Sequence, residues 1–404
     1  MKILIINTTY NKGGAAQVAK GLFHEAQKDF DAYFAFGRGN KVNDKNVFKF
    51  GYILENIIHL LLVRFLGLEG FGTYFSTRKL IRFIRREKFD LINLHNLHGY
   101  YLNFFTLINF IKKEQIPVIW TLHDEWPITW LPAHSLGCKH CLGEKSACTN
   151  TYSYPKNYFP VFKNLMLKKK RLIFTDNWSP TFICPSNWLA GNVGNSYLKN
   201  QAIRVISNGI DTDIFKPCYN KEEIRSRYQI ASNQKVIVFS AASLNDKNKG
   251  LSYIMEVAKI LENEPYIFLG LGQGEITEQK NIITTGYIKG ADKVAEILSA
   301  ADLFCFTSQA ETFSLAAAEA LACGIPVVGF ELPVIKELVT PETGLLSMMN
   351  NSQDLTINIR SLLENESERL DKGLAGRKLI LNNYSSTLFY QKYNNLFKIF
   401  NSHF

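Results

Sequence analysis

The chain has 404 residues, of which 46% are hydrophobic and 20% charged, and a formal net charge of +10. This length exceeds one ordinary domain and suits two, and the composition excludes a disordered chain or one that needs disulfides or a metal to form its core. The excess of Lys and Arg favours phosphates or an anionic membrane as partners, or it forms only a solvated basic surface.

The cysteines and the first residues indicate the compartment. Seven cysteines without a regular framework argue against a secreted disulfide scaffold. The apolar run 3–6 is too short for a signal peptide, and the longest apolar segment, 57–68, is too short to span a membrane. We therefore expect a cytoplasmic protein that can lie on the inner face of the cell membrane.

Apolar, strand-like runs alternate with amphipathic, helix-like stretches along the chain. The predicted strands of the first half are residues 2–7, 32–36, 91–95, 118–122 and 182–185. Those of the second half are residues 235–240, 266–270, 282–285, 303–307 and 326–330. The predicted helices between them include 15–28, 252–263, 293–300 and 313–323. This alternation is typical of parallel sheets covered by helices, so we predict an α/β fold of two doubly wound, Rossmann-like domains.

The domain boundary is predicted at the turn signal Asn208-Gly209. The N-terminal domain then covers residues 1–207 and the C-terminal domain residues 208–384. Residues 385–404 read as one amphipathic helix whose apolar face carries Phe389, Tyr393, Leu396, Phe397 and Phe400.

Glycines and titratable residues follow three strands of the first half. Gly13 and Gly14 open a helix after the first strand, where glycine lets a ligand approach the backbone, unless this is a plain strand–helix turn. The polar residues that follow two further strands are His95, His98, His123 and Asp124. Parallel sheets bind ligands at the carboxyl ends of their strands, so these are candidate site residues, and structural histidines are the alternative.

An irregular stretch later in the first half contains three cysteines. Cys138 and Cys141 have the Cys-x2-Cys spacing of zinc sites, and Cys148 with His134 or His140 would complete four ligands. The sequence therefore carries a candidate structural zinc site, and reduced, partly buried thiols are the alternative.

Two segments of the first half, 78–86 and 168–171, are strongly basic. The first has the pattern of an amphipathic helix. Such faces bind anionic lipid headgroups, or they are solvated outer faces. No nucleic-acid-binding module is recognisable, so we expect no nucleic-acid partner.

The second half contains the sharpest chemical motif. Glu311 lies in a loop before a predicted helix, and the backbone N–H groups at the start of that helix belong to Phe313, Ser314 and Leu315. A helix N-terminus offers such groups, and the positive end of the helix dipole, to a diphosphate. Glu311 is placed to accept hydrogen bonds from sugar hydroxyls and Glu319 from a ribose diol, unless both are simply solvated.

Two loops of the same half add candidates. Lys247 and Lys249 follow the strand at 235–240, where a lysine can reach phosphates, although surface lysine is the simpler interpretation. Gly272 lies in a glycine-rich segment after the strand at 266–270, and an ordinary turn is the alternative.

The spacing Glu311-x7-Glu319, followed by Ala-x-x-Cys-Gly-Ile-Pro-Val-Val, resembles the signature of the family-four retaining glycosyltransferases. Lys249-Gly250 matches that family's Lys-Gly pair, but the arginine that usually precedes the pair is missing, and Lys247 would be only a point charge in its place. Segments 95–99 and 120–130 are similar to members that assemble exopolysaccharide, capsule or O-antigen, including the colanic-acid type.

The resemblance implies a GT-B fold, in which two Rossmann-like domains face a cleft and the C-terminal helix crosses back to the first domain. It implies a UDP- or GDP-sugar donor, no cofactor or metal for catalysis, and a glycan or lipid-diphosphate-linked acceptor. Glu311 and His123 would be the catalytic residues in contact with the donor sugar, and Glu319 would contact the ribose. The other donor-binding residues would be Gly13, Gly14, Lys247, Lys249, Gly272, Phe313, Ser314 and Leu315. The acceptor-side candidates would be His95, His98 and Asp124. The implied function is a retaining hexosyltransferase of bacterial surface glycans. A nucleotide-sugar epimerase and a non-catalytic nucleotide-sugar-binding protein remain as alternatives.

Overall fold

The computed structural model describes residues 1–136, 138, 154–217, 220–243, 246–274, 276 and 279–401, without the side chains of residues 242, 243 and 247. They form two compact units. The first consists of Met1–Ser207 with Tyr390–Phe404, and the second of Asn208–Phe389. The first unit gains its last residues from the end of the chain.

The first unit is built on a parallel sheet that has seven strands in the described residues. Its elements in chain order are β1 (Lys2–Thr9), α1 (Gly14–Ala26), β2 (Asp31–Arg38), β3 (Val47–Lys49), α2 (Ile53–Leu66), α3 (Tyr74–Glu87), β4 (Leu91–Leu94), α4 (Phe104–Glu114), β5 (Val118–Thr121), α5 (Lys163–Thr175), β6 (Thr181–Cys184), α6 (Asn187–Gly194) and β7 (Ala202–Val205). The strand order is β3-β2-β1-β4-β5-β6-β7, with Ile5 of β1 opposite Phe34 on one side and Asn93 on the other.

The second unit repeats this plan with six strands in its described residues. Its elements are α7 (Lys221–Arg227), β8 (Lys235–Ser243), α8 (Leu251–Ile260), β9 (Tyr266–Gln273), β10 (Ile282–Thr284), α9 (Ala291–Ser299), β11 (Leu303–Phe306), α10 (Leu315–Ala322), β12 (Val327–Phe330), β13 (Gly344–Ser347), α11 (Ser352–Glu364) and α12 (Glu366–Asn383). The strand order is β10-β9-β8-β11-β12-β13, and each neighbouring pair in this order is parallel.

Both sheets reverse their strand order next to the first strand of the unit, between β1 and β4 and between β8 and β11. Open α/β sheets bind ligands outside the carboxyl ends of the strands at such a switch point. The central strands are buried on both faces, as Ile3, Leu4, Ile5 and Ile6 show with no exposed surface. The predicted α/β class with two doubly wound sheets is confirmed.

The last helix, α13 (Ser386–Asn401), packs on the first unit from Tyr390 onward. The Tyr393 hydroxyl shares a hydrogen bond of 2.7 Å with Thr121 Oγ1, and the Phe397 ring lies 5.8 Å from that of Phe30. Its apolar stripe is buried as the sequence pattern indicates, at Phe389, Tyr393, Leu396 and Phe397.

Candidate functional site

The switch point of the second unit brings a lysine and a glutamate together. Lys249 lies in a 3-10 turn after β8, and Glu311 lies in the loop after β11. The Lys249 Nζ is 2.6 Å from Glu311 Oε1. Burial alone would lower the pKa of Lys249, but the Glu311 carboxylate outweighs it and raises that pKa, so the lysine stays cationic.

Hydrogen bonds tie the two loops to each other. Thr307 Oγ1 donates to the Lys249 carbonyl at 2.8 Å, and the Gln309 N–H donates to the Asn248 carbonyl at 2.7 Å. The Lys249–Glu311 pair is therefore held by backbone contacts as well as by its own charge.

Gly250 makes this close approach possible. Its φ is +68°, and a Cβ at this position would lie 2.2 Å from the Thr307 carbonyl oxygen. The left-handed conformation and the backbone contact both favour glycine here. The Lys-Gly pair is thus a packing requirement for the loop that carries the lysine.

Helix α10 begins two residues later than predicted, at Leu315 instead of Phe313. Ser314 precedes it in a left-handed conformation, with φ 74°. A right-handed helix cannot include such a residue, so α10 cannot begin before Leu315. The Phe313 side chain is buried and its ring packs 5.7 Å from Tyr384, so only the backbone of Phe313 can face a ligand. The Ser314 side chain at the N-cap makes no capping hydrogen bond to the first turn of α10, so within the described residues this turn can offer its N–H groups to an anion.

Glu319 lies on α10, more than one turn beyond its start. Its side chain is partly exposed, and among the described residues its carboxyl has no hydrogen-bond or ion-pair partner. Burial raises the pKa of Glu319 to about 8. A carboxyl in this state is protonated at neutral pH; it can donate one hydrogen bond, and its carbonyl oxygen still accepts.

The remaining residues predicted for the donor site are Lys247 and Gly272. The Lys247 side chain lies outside the described part of the chain. Gly272 lies near the end of β9 and forms an isolated β-bridge with Gly286. Its N–H donates to the Gly286 carbonyl at 3.2 Å. The pocket beside Lys249 and Glu311 is also lined by Ala241 and Ser308, which sequence reasoning did not single out. Their position after β8 and β11 is the signal that could have found them.

Two of the first unit's predicted histidines form a hydrogen-bonded chain. His95 Nε2 lies 3.1 Å from Asn93 Oδ1, and His95 Nδ1 lies 2.8 Å from His123 Nε2. Because the Asn93 amide donates to the Thr121 hydroxyl, its oxygen accepts from His95, and His95 Nδ1 then accepts from His123. Burial lowers the pKa of both rings, that of His123 to about 4, so both are neutral.

His98 and Asp124 form a separate, buried ion pair. His98 Nε2 is 2.6 Å from Asp124 Oδ2. Burial opposes a charge on His98, but Asp124 outweighs it and raises its pKa; His98 in turn lowers the pKa of Asp124 against the effect of burial. Unlike His95 and His123, this imidazole favours the cationic form.

Glu69 and Lys170 extend this network and were not predicted as site residues. Glu69 accepts from the Trp126 indole at 2.6 Å and from the Gly99 N–H at 3.3 Å. Lys170 is fully buried, its Nζ donates to the Thr129 carbonyl at 2.8 Å, and burial lowers its pKa to about 7. The interpretation of segment 168–171 as one exposed basic face is therefore wrong at Lys170, which points into the core.

The glycine loop after β1 lines a cleft of about 800 Å³ at the carboxyl ends of β1, β2 and β4. Gly13 has φ 92°, and a Cβ there would meet nothing within 4 Å. His98 lines the same cleft, whereas His95, His123 and Asp124 do not. Of the four polar candidates, therefore, only His98 is among the residues that line this cleft.

The zinc hypothesis falls largely on residues that the structure leaves undescribed. Cys141 and Cys148 lie outside the described residues, whereas Cys138 and His134 are both partly exposed. Among described residues, no three His, Cys, Asp or Glu side chains are grouped as a metal site. The site remains a prediction without support from the described residues.

Within the described ranges, no helix combines the length and the apolarity needed to cross a membrane. The basic helix predicted at 78–86 is α3, whose buried face carries Leu80, Phe83 and Ile84. Arg85 pairs with Glu114 at 3.2 Å, and Arg86 with Glu87 at 2.9 Å, so part of its charge is neutralised locally.

Comparison with known proteins identifies the family. Residues 12–214 match the family model "Glycosyltransferase Family 4", and residues 220–379 match "Glycosyl transferases group 1". The chain is 25% identical over 364 residues to WcaC of Escherichia coli, which is provisionally named a colanic acid biosynthesis glycosyl transferase; the match covers 85% of this chain and 86% of that protein. It is 27% identical over 204 residues to the processive diacylglycerol alpha-glucosyltransferase of Acholeplasma laidlawii, covering 47% and 60% of the two chains.

Solved structures agree in fold. HepE of Anabaena, whose structure was determined in complex with UDP-glucose, superposes with a TM-score of 0.71 over 98% of this chain and 99% of that chain, at 16% identity. Since one family model matches about half of the chain and a second covers most of the remainder, the chain belongs to glycosyltransferase family 4.

Proposed function

We propose that this glycosyltransferase moves a hexose, with retention of anomeric configuration, from a UDP- or GDP-sugar to a growing lipid-linked glycan of a bacterial surface polysaccharide. The Lys249–Glu311 pair at the switch point of the second sheet carries the proposal. A cation and a carboxylate beside an uncapped helix N-terminus suit a ligand that has both phosphates and hydroxyls. Membership of family 4, and the UDP-glucose bound by the similarly folded HepE, support a nucleotide-sugar donor.

Each donor-side residue then has a role. Lys249 and the N–H groups at the start of α10 stabilise the leaving diphosphate, Glu311 accepts hydrogen bonds from the sugar, and Glu319 accepts from the ribose. The bond from the anomeric carbon to the diphosphate breaks while the acceptor oxygen bonds to the same face. The acceptor proton passes to a phosphate oxygen. The neutral His123 positions the sugar as a hydrogen-bond partner, because its low pKa makes it a weak proton carrier.

Thermal denaturation with a panel of UDP-, GDP-, ADP- and TDP-sugars tests the donor site. One nucleotide class should raise the melting temperature of the wild type and of Lys259→Ala, an exposed lysine in α8, but not of Lys249→Ala or Glu319→Ala. No response in any protein would contradict the proposal. With a matching donor, an epimerised nucleotide sugar formed without acceptor would favour an epimerase. Binding without turnover, when bacterial lipid-linked glycan is supplied, would favour a non-catalytic binder.

A lipid-linked acceptor is supported by an exposed apolar surface on the first unit. Helix α2 exposes apolar side chains at Ile53, Leu54, Ile57, Ile58, Leu61 and Phe65. The Phe65 ring lies 5.9 Å from Tyr158 and 6.5 Å from Phe159, both also exposed. Contiguous apolar patches of this kind mark protein or membrane contacts.

Helix α5 adds charge beside apolar residues. Leu165, Lys168, Lys169 and Leu172 are all exposed and share one helical face by their spacing. Lysines flanking exposed leucines suit the negatively charged headgroups and the acyl region of an anionic membrane. We therefore place the proposed membrane contact on α2 and α5, with the remaining cations of α3 adding to the attraction.

Co-sedimentation with vesicles tests this contact. The wild type should bind phosphatidylcholine vesicles that contain phosphatidylglycerol and bind pure phosphatidylcholine weakly. The double change Ile53→Ser/Ile57→Ser should abolish binding, while Ile357→Ser, which alters an apolar residue that is 61% exposed in the second unit, should not. Equal binding by both variants would remove α2 from the contact.

A further inference from the structure

The cleft of the first unit has an uneven charge. Its lining includes three side-chain cations, Lys12 after β1, Arg38 at the end of β2 and Lys41 after β2, and no described lining residue is an Asp or a Glu. Two lining residues contact carboxylates that lie outside the lining: the Tyr10 hydroxyl donates to Asp44, and His98 pairs with Asp124. A cleft lined by one sign of charge concentrates ligands of the opposite sign.

These three cations are not neutralised within the described part of the chain. Lys12 and Lys41 make no ion pair there with their side chains. Arg38 Nη1 donates to the Gly99 carbonyl at 3.1 Å, and its guanidinium stacks 5.7 Å from the centre of the Tyr100 ring. Those contacts fix the arginine in place but leave its charge and its other N–H groups for a ligand.

His98 adds an unsatisfied donor at the base of the cleft. The ring is 5% exposed and lines the cleft, its Nε2 faces Asp124, and its Nδ1 is buried with no hydrogen-bond partner among the described residues. An imidazolium carries an N–H on both nitrogens, so the second N–H needs an acceptor. A buried donor without an acceptor costs free energy that a ligand oxygen would recover.

The charge of His98 depends on groups from several elements. Asp124 follows β5, Glu69 follows α2, and Lys170 lies on α5; the Tyr154 ring is 5.8 Å away. The two carboxylates raise the pKa of His98, while burial and Lys170 lower it, and the balance is a raised pKa. The raised pKa favours the cationic form of this ring, which lines the cleft and has Asp124 as its counter-ion.

We propose that this cleft binds an anionic group of the acceptor, a phosphate or a carboxylate, through Arg38, His98 Nδ1–H and the lysines of its rim. The uncapped start of α1 at Gly14, a 13-residue helix, adds backbone N–H groups on the same side. This inference rests on the proposed function, because it assigns the anion to the acceptor and leaves the donor diphosphate with Lys249 in the second unit. A neutral glycan terminus alone would then be a poor substrate.

Direct binding tests the site without any need for turnover. Inorganic phosphate, glucose 1-phosphate and glucuronate are titrated into the protein while long-range ¹H–¹⁵N spectra report the histidine rings, with His98→Gln identifying the His98 signals. Phosphate or carboxylate probes should shift the His98 signals in the wild type and in Arg204→Gln, which alters an exposed arginine of β7. The affinity for these probes should fall about tenfold or more in Arg38→Gln. Unshifted His98 signals, or equal shifts in both arginine variants, would overturn the proposal.

Kinetic measurements then show whether the bound anion belongs to the acceptor or to the donor. With the active nucleotide sugar, a hexose 1-phosphate or a uronide should be a better acceptor than the neutral methyl hexoside, and Arg38→Gln should remove that preference by raising the acceptor KM. If Arg38→Gln instead raises only the donor KM, the anion is the donor diphosphate and the inference is wrong. If anions shift the His98 signals but the protein transfers no sugar, the anion site is supported and the proposed function is refuted.

Discussion

Replacing Glu319 with glutamine tests whether burial keeps this carboxyl protonated. Glutamine has nearly the size and shape of protonated glutamic acid but cannot ionise. Since burial raises the pKa of Glu319 to about 8, the wild type resembles the variant at low pH and differs from it near neutrality. Near neutrality the folded carboxyl stays protonated while the unfolded one is ionised, so the comparison measures the free energy of protonating Glu319 on folding.

The magnitude follows from the difference between the folded and unfolded pKa. An unfolded glutamate titrates at about 4.3, and a tenfold change in its proton affinity corresponds to about 1.36 kcal/mol. Because the folded pKa lies above the unfolded one, the stability that Glu319 contributes is complete below about pH 4 and is lost as the pH rises to about 8. At pH 7 the full loss would be about 3.7 kcal/mol, and partial exposure of the side chain reduces this to about 2 kcal/mol.

Thermal denaturation without ligand measures the difference. Glu319→Gln should match the wild type at pH 4.5 and melt about 4–8 °C higher at pH 7.5 in the transition of the second unit. Glu262→Gln, a change of an exposed glutamate after α8, should leave the melting temperature unchanged at both pH values. The more stable Glu319→Gln should also lose its response to nucleotide sugar, as expected of a binding residue.

A lower melting temperature for Glu319→Gln at pH 7.5 would refute this reasoning. It would mean that the ionised carboxylate makes a stabilising interaction in the folded protein, and that its role is structural. An equal increase at both pH values would also refute it, because the gain would then come from packing and not from ionisation.

Three further changes have expected outcomes. Gly250→Ala should lower the free energy of unfolding by about 2–4 kcal/mol in denaturant titration, because its Cβ would meet the Thr307 carbonyl; an unchanged midpoint would show that the two loops do not pack this closely. Lys170→Met should destabilise by about 3 kcal/mol, because it removes one of the two cations that act on the buried Glu69 and leaves the Thr129 carbonyl without its donor, whereas Lys168→Met should stay within about 0.5 kcal/mol. Ser314→Gly should raise the melting temperature by relieving about 1 kcal/mol of left-handed strain, and Ser314→Ala should not.

The sequence predicted the fold well where the signal is local. Long apolar runs such as that of β1 identify central parallel strands, because such strands are buried on both faces and need no alternation. Strands β3, β7 and β13 were not predicted. β3 has three residues, β7 at the sheet edge is largely exposed, and β13 has only two large apolar residues, so none of them produces a continuous apolar run.

The donor side was more predictable than the acceptor side for a related reason. Lys249, Glu311 and Glu319 each follow a strand or lie on the next helix, so topology alone brings them to one edge of the sheet. Ser314 shows the limit of this reasoning. Its left-handed backbone delays the start of α10, and no propensity of serine indicates it.

The buried network of the first unit depends on contacts between distant parts of the chain. Glu69 and Lys170 are about a hundred residues apart in the sequence, and neither follows a strand. Their effect on His98 is nevertheless what distinguishes it from His95 and His123, which are neutral. The surroundings of these three histidines, and not their position along the chain, thus raise the pKa of one ring and lower the pKa of the other two.

One signal in the sequence did point to Lys170. On α5 the buried residues are Met166, Lys170, Ile173 and Phe174, which recur at intervals of three and four along one helical face. The adjacent Lys168, Lys169 and Arg171 lie off that face and are exposed. The residues of a basic run therefore have to be assigned to helical faces by their spacing before their charges are placed on the surface. A lysine in the middle of an apolar stripe indicates a buried acidic partner, which here is Glu69.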